Sequence, residues 1–431
     1  MKTLRKSDLV CLRNGEVVDL IHSRRQKADI VIRGEKIDSI GTINESEFRG
    51  EIIDISNCII VAGLVDMHVH LREPGREDEE TVESGCAAAM AGGFTGVAAM
   101  PNTDPPCDNQ EIVNFLFDRA RSQLVDVYPV AAITKERAGK EITEMGELAK
   151  AGVVAFSDDG ASVADSGVMR RALEYASMYE TVIIDHSEEL ALAAGGHMNE
   201  GVMSTRLGVA GIPTTAEDVM VARNIGLLRF SGGFLHIAHI SSDKSVEMVR
   251  RAKDEHLSIS CEVTPHHLMF SDEDLIQYDT NLKMNPPLRP PAIIERLKAG
   301  LADGTIDVIA SDHAPHSIEE KDVEFDAAPF GITGLETMVG VIITEIVNSG
   351  ILSLEEALYK MSIAPRKLLR LDVPEIKEGK RANLSVIEPS KTWTVDAGRQ
   401  KSLSRNTPYD GMELTGGIRA VINRGKLWQA L

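Results

Sequence analysis

Seven residues of this chain stand out as able to do chemistry together: His68, His70, Asp158, Asp159, His186, His239 and Asp312. Each sits at the C-terminal end of a short apolar run, and between them they draw on five such runs. His68 and His70 form a His-x-His pair. On a strand of period two, both imidazoles point to one face and Val69 to the other, which makes a ready chelate. Imidazole and carboxylate are the ligands of hydrolytic zinc. Four histidines and two aspartates exceed one tetrahedral shell with an open position. The set therefore predicts two ions with a carboxylate bridge and a hydroxide between them as nucleophile. Asp158 and Asp159 are neighbours and face opposite ways, so one of the two is expected to ligate, and periodicity does not choose. Asp312 lies in IASDHAPH (309–316), where it can touch both metal and substrate. A carboxylate there can take a proton from water and return it to a leaving nitrogen.

Other polar groups surround this set. Arg72 continues the phase of positions 68 and 70, and a guanidinium there can fork onto a carboxylate or form a rim salt bridge. Asn102 in MPNT, Asn285 in NPP and His316 on the loop after Asp312 can reach a polar substrate, although both asparagines also suit turns. His313 is expected to pack away from Asp312, and His236 to face opposite to His239. His22, His197, His256, His266 and His267 are read as structural. The charged stretch 313–331 has the character of a loop that lids a barrel mouth.

The elements that must position these residues recur along the middle of the chain. Eight apolar runs span 59–70, 96–102, 126–133, 153–159, 181–187, 234–241, 258–265 and 307–315. Amphipathic, Ala-rich segments such as SGVMRRALEYASM and SDKSVEMVRRAKDE lie between them. Continuously apolar strands alternating with helices imply a parallel sheet covered on both faces, and eight units imply a closed (β/α)8 barrel, here over 63–369. Active sites of that fold lie where these runs end. The two ends of the chain read as short hairpins, exemplified by ADIVIRGEKIDSIG and GIRAVINRG. Each is too small to bury a core alone, so residues 1–62 and 370–431 are expected to build one small β-sandwich domain.

Composition narrows the class further. The 431 residues are 43% hydrophobic and 26% charged, enough for a core without disulfide staples. A net charge of −20 argues against nucleic acid or an anionic membrane as partner. Five scattered cysteines with no CxxC pair suit a reducing compartment. The start, MKTLRKSDLV, lacks the apolar stretch of a signal peptide, and no apolar run reaches the roughly 20 residues that span a bilayer. A soluble, cytoplasmic protein is expected.

The motifs DMHVHLREPG (66–75), MPNT (100–103), FSDDG (156–160), IDHSE (184–188), HIAHIS (236–241), VTPHHL (263–268), NPPLR (285–289), SDHAPH (311–316) and PFGITGLET (329–337) resemble those of the class I dihydroorotases, a family of the amidohydrolase superfamily. The resemblance runs over essentially the whole chain. It implies reversible hydrolysis of dihydroorotate, a small molecule, to N-carbamoyl-aspartate in pyrimidine biosynthesis. It implies two zinc ions per subunit bridged by Asp159 and a hydroxide. His68, His70 and Asp312 would hold the first ion, and His186 and His239 the second. Asp312 would carry the proton. Arg72, Asn102 and His316 would hold the substrate on its carboxylate side, His70 would also contact substrate, and Asn285 with the backbone of Phe330 and Gly331 would hold the ring amide. A homodimer and an association with aspartate transcarbamoylase are implied partners. Hydantoinases and allantoinases, the competing reading, bridge their metals with a carboxylated lysine, as do many other dihydroorotases, whereas this chain has Ser157-Asp158-Asp159-Gly160 at that place, as the class I enzymes that it resembles have Asp. A catalytically silent barrel that scaffolds aspartate transcarbamoylase is the reading from a different class, and the full set of ligand residues speaks against it.

Overall fold

The computed structural model describes residues 1–22 and 24–430. Its centre is a sheet of eight parallel strands in sequential order: β1 (Leu64–Val69), β2 (Phe94–Ala99), β3 (Asp126–Ala131), β4 (Ala155–Phe156), β5 (Val182–Asp185), β6 (Leu235–Ile237), β7 (Ile259–Val263) and β8 (Val308–Ile309). The seam between β8 and β1 closes just beyond β8. His70 N donates to His313 O at 2.9 Å, Val69 and His313 form a parallel bridge, and Ser311 N donates to the buried Asp66 carboxylate. The eight apolar runs therefore contain the eight barrel strands, and the sheet is a closed barrel.

Helices cover the outside: α1 (Val82–Ala91), α2 (Gln110–Ala120), α3 (Met145–Ala151), α4 (Ser166–Ser177), α5 (Thr215–Ser231), α6 (Asp243–Asp254), α7 (Pro291–Ala302) and α8 (Leu354–Leu368). Their ends follow local chemistry. Thr81 with Ser84 and Ser353 with Glu356 form capping boxes on α1 and α8, Asn109 and Asp165 cap α2 and α4, and Gly152 ends α3 in the left-handed conformation. A core of buried Val, Leu, Ile and Ala joins these helices to the strands. A second cluster, drawn mostly from the strands and the residues just beyond them and including Met67, Ala98, Val130, Ala155, Ile184 and Val308, is the packed filling of the barrel. Among the described residues, no helix is long and apolar enough to cross a membrane.

Two further sheets come from the chain ends. A seven-stranded sheet orders Lys2–Thr3, Lys426–Gln429, Glu413–Asn423, Leu384–Thr394, Ile59–Ala62, Glu16–Asp19 and Arg24–Lys27. A four-stranded sheet orders Lys36–Gly41, Asp29–Arg33, Leu9–Arg13 and Glu51–Asp54. Leu12, Ile30, Ile32, Ile37, Ile60, Leu384, Val386 and Ile422 pack between them, so neither end buries its apolar face without the other.

One expectation needs correction. The run 59–70 is not one strand: Ile59–Ala62 pairs antiparallel with Leu384–Ile387, and β1 starts after Gly63. The glycine is required by close approach, because a Cβ there would lie 2.2 Å from both Asn383 Oδ1 and Thr95 Oγ1. Gly63→Ala is expected to destabilise the fold by about 1–3 kcal/mol, an overpacking cost read as a lower thermal midpoint.

Candidate active site

The residues singled out by type and spacing converge at the C-terminal rim of the barrel. One cavity of about 220 Å³ is lined by His70, Arg72, Asn102, Asp159, His186, His239, Asn285, Asp312, His316, Phe330 and Gly331, with His68 buried directly behind. Asp159 lies at the middle of the His–Asp set. Its Oδ1 is 3.4 Å from His68 Nε2, 3.6 Å from His239 Nε2 and 3.8 Å from His186 Nδ1, and its Oδ2 is 3.5 Å from His70 Nε2. Asp312 Oδ1 stands 3.1 Å from His70 Nε2 and 3.5 Å from His68 Nε2. His186 Nδ1 and His239 Nε2 approach to 2.9 Å.

Several of these atoms have no protein partner. His68 Nε2, Asp159 Oδ1 and His239 Nδ1 are buried without a hydrogen bond, an arrangement that costs free energy unless something else binds there. Two groups, His68–Asp159–His239 and His68–His70–Asp312, bring their ligand atoms close enough to share an ion. The donor set, imidazole nitrogen with carboxylate oxygen, fits a divalent metal such as zinc. Electrostatics point the same way. Burial works to raise the Asp159 and Asp312 carboxyls, yet the surrounding imidazoles, His68 first, outweigh it and hold both below the usual range. Burial likewise lowers His68, but Asp159, Glu262 and Asp312 together raise it above the ordinary imidazole. Asp159, Asp312 and His68 thus stabilise one another's charged forms.

The two adjacent aspartates separate, one facing away from the cluster and one into it. Asp158 turns away: its Oδ1 accepts Ile133 N at 2.8 Å and Thr134 N at 3.0 Å, which pins the loop after β3. Burial, its largest influence, pushes that carboxyl up to about 6. Asp159 is set by Ser157 Oγ on its own N–H and by Arg137 on its carbonyl. Three other site residues stand on left-handed backbone: Arg72 at φ 59°, His239 at φ 29° and Asp312 at φ 48°. Non-glycine residues in such conformations cost on the order of 1–3 kcal/mol each, and they concentrate at functional sites.

The opposite wall holds Arg72 and His316. Arg72 Nε is 3.1 Å from Glu79 Oε2 and 3.0 Å from Pro315 O, and its Nη2 reaches His316 Nε2 at 3.3 Å. The His316 ring is fixed by Glu79 Oε1 at 2.7 Å on Nδ1 and faces Phe330 O at 2.8 Å on Nε2. The alternatives for Arg72 thus coincide: it is ion-paired through Nε and also lines the cavity. Asn102 Oδ1 accepts from His70 Nδ1 at 2.7 Å, and Asn285 Nδ2 donates to Glu188 Oε1 at 3.0 Å. Gly331 N donates to Lys283 O at 2.9 Å, so that peptide group is already partnered.

The segment 313–331 does cross the mouth, but it is tied down. Lys321 Nζ donates to Thr280 O and Pro329 O, and Lys283 Nζ to Phe325 O and Asp326 O, all within 2.9 Å. His313 packs as expected, with its ring between Glu80 and Gly334 N. His267 is held by Thr264 and Pro286 O. His236 is a correction. It was expected to face away from the site, but its Nε2 lies 3.2 Å from Glu262 Oε2, and Glu262 Oε1 lies 2.5 Å from His68 Nδ1. Strand parity fails over those three residues because β6 ends at Ile237, before His239 turns left-handed. Glu262 orients a candidate ligand from behind and went unnoticed, although a lone carboxylate inside the apolar run ISCEV was a visible signal. Glu79 and Glu188 sit in acidic loop sequences that offered none.

Comparison with known proteins agrees with this geometry. A family model described as dihydro-orotase-like matches residues 57–245. The chain is 46% identical over 416 residues to the dihydroorotase of Pelotomaculum thermopropionicum, covering 96% of this chain and 97% of that one. It is 44% identical to the dihydroorotase of Syntrophus aciditrophicus, covering 97% and 98%. Among solved structures it resembles the L-hydantoinase of Arthrobacter aurescens with a TM-score of 0.86 at 26% identity, over 98% of this chain and 96% of that one. With relatives this similar over nearly their whole length, the chain belongs to the dihydroorotase family.

Proposed function

We propose that this chain is a dihydroorotase that opens the ring amide of dihydroorotate to N-carbamoyl-aspartate and, in reverse, closes it for pyrimidine synthesis. The observation that carries the reading is the pairing of two walls across one small cavity: the His–Asp cluster on one side and Arg72 with His316 on the other. The first suits amide hydrolysis. The second suits a carboxylate, which dihydroorotate has and a plain hydantoin lacks.

In this reading His68, His70, Asp159, His186, His239 and Asp312 would hold two zinc ions. Bound there, zinc would lower the pKa of water and polarise an amide carbonyl. The chain's own residues do the rest. Asp312 accepts the proton of the attacking water and delivers it to the ring nitrogen as the C–N bond breaks. Arg72 and His316, with Asn102 on the same side, grip the carboxylate and set the ring's orientation. Asn285 faces the ring amide: its NH2 is taken by Glu188, which leaves Oδ1 to accept from a ring N–H. The backbone at Phe330 and Gly331 walls the ring in.

The test is dihydroorotate hydrolysis by the purified, zinc-loaded protein, followed by ultraviolet loss of the ring amide, with hydantoin and allantoin alongside. Turnover of dihydroorotate alone supports the reading. Zinc-bound protein that turns over hydantoin or allantoin but not dihydroorotate sinks it, and protein that neither binds zinc nor turns over sinks it in favour of a scaffold.

A further inference from the structure

We propose that Asn406 is a positioning residue for the substrate carboxylate, carried to the barrel mouth by an excursion of the terminal sheet. The inference rests on the reading of Arg72 and His316 as the carboxylate grip and adds to it the part of the molecule that holds the grip in place.

The strands Leu384–Thr394 and Glu413–Asn423 pair antiparallel. The chain between them does not turn tightly. It leaves the sheet and runs to the rim of the barrel, where Leu403 N donates to Glu80, Ser404 Oγ donates to Glu79 O at 2.7 Å, and Asn406 O accepts Thr333 N at 2.9 Å. Asn406 is buried, 4% exposed, and its amide makes three bonds to main chain. Oδ1 accepts His316 N at 3.1 Å, and Nδ2 donates to Ala314 O at 3.0 Å and Gly331 O at 3.1 Å. Only an amide matches one N–H and two carbonyls at once. A carboxylate there would face two carbonyl oxygens.

What those bonds hold is a wall of the cavity. Residues 313 and 332 form a parallel bridge, and Ala314 N donates to Ile332 O at 2.8 Å, so two short extended segments lie side by side. They approach so closely that a Cβ on Gly331 would lie 2.7 Å from that of Ala314. Asn406 spans both, next to His316. The same excursion reaches the other end of the His316 side chain, because Ser404 anchors the backbone of Glu79, whose carboxylate fixes both the His316 ring and Arg72. Neither residue touches the His–Asp cluster. Recognition of the carboxylate is thus keyed to the terminal sheet, and the chemistry to the barrel strands.

The test uses the full-length zinc enzyme with Asn406→Ala, Asn406→Asp and Arg72→Met. The readouts are kcat and KM for dihydroorotate, inhibition by N-carbamoyl-aspartate and by N-carbamoyl-β-alanine (the same molecule without the α-carboxylate), zinc content and thermal midpoint. Displacements of about 1 Å in a binding wall cost up to roughly 100-fold. Both Asn406 variants are expected to raise KM and the carbamoyl-aspartate inhibition constant about 10- to 100-fold, with kcat within about 3-fold. Zinc content and carbamoyl-β-alanine binding should stay as in the parent. Unchanged KM, equal weakening of both inhibitors, or loss of zinc would overturn the proposal. Arg72→Met separates the two levels. If it weakens carbamoyl-aspartate selectively and the Asn406 variants do not, the inference fails alone; if it does not, the carboxylate reading fails first. Should the Asn406 variants not fold, Ser404→Ala carries the same test through Glu79, with a several-fold rise in KM expected and no rise overturning it.

Discussion

Asp312→Asn is expected to lower kcat for dihydroorotate hydrolysis by about 10³- to 10⁴-fold, at the upper end of what positioned proton transfer contributes. The isostere keeps the shape and the left-handed backbone of the residue but cannot accept a proton. In the parent, the imidazoles of His68, His70 and His239 outweigh burial and hold this carboxyl below the usual range, in its ionised form. Asp312 Oδ1 also stands within 3.1 Å of His70 Nε2, so zinc content must be measured with the rate. Asp159→Ala gives the contrast: it removes a carboxylate that lies within 3.8 Å of four imidazoles, and its activity loss should track lost metal. An Asp312→Asn enzyme that keeps its zinc and more than about a tenth of the parental kcat would remove Asp312 from the proton path.

The second large effect concerns Arg72→Met. The loss in kcat/KM for dihydroorotate should be roughly 30- to 1000-fold, equivalent to about 2–4 kcal/mol for a bidentate charge-assisted contact. Arg72→Lys should recover little of it, since an ammonium does not reproduce the planar fork. The guanidinium is oriented before substrate arrives, with Nε taken by Glu79 and by Pro315 O. Removing it does not leave Glu79 alone, because Arg76 Nη2 lies 3.2 Å from the same carboxylate. The fold should therefore tolerate the change, and kinetics should report binding. Parental kcat/KM in Arg72→Met would end the assignment of this wall to the carboxylate.

Much of the barrel and its site is legible in the sequence because period two and the barrel rim are strong local rules. His68 and His70 flank an outward Val69, and Asp159, His186, His239 and Asp312 follow within three residues of the ends of β4, β5, β6 and β8. The sharing of sheets between the two ends is legible too, since neither hairpin set could bury a core alone. The features that escape are tertiary. Gly63 gives no sign in the sequence that two strands of different sheets meet there. His236 obeys strand parity only up to Ile237, and the turn at His239 redirects the side chains beyond it. Asn406 sits in RNTP, an ordinary turn sequence, and its three main-chain partners are 75 to 92 residues away. Glu79 reads as one more acid in REDEE, although it is 1% exposed and holds two cations.

The interleaving of the terminal strands sets a timetable for the newborn chain. Ile59–Ala62, buried throughout, sits in its sheet between Glu16–Asp19 and Leu384–Thr394. Its second neighbour is encoded roughly 320 residues downstream. At synthesis rates of about 5–20 residues per second, that strand waits roughly 15–60 s on the ribosome with one edge unpaired. An unpaired apolar edge is a template for another chain's strand. The barrel, whose neighbouring strands follow one another in sequence, can assemble during that wait. The terminal sheets close last, and the excursion bearing Asn406 emerges in that final stretch, so the bonds that tie Ala314 to Gly331 through Asn406 form only near the end of synthesis.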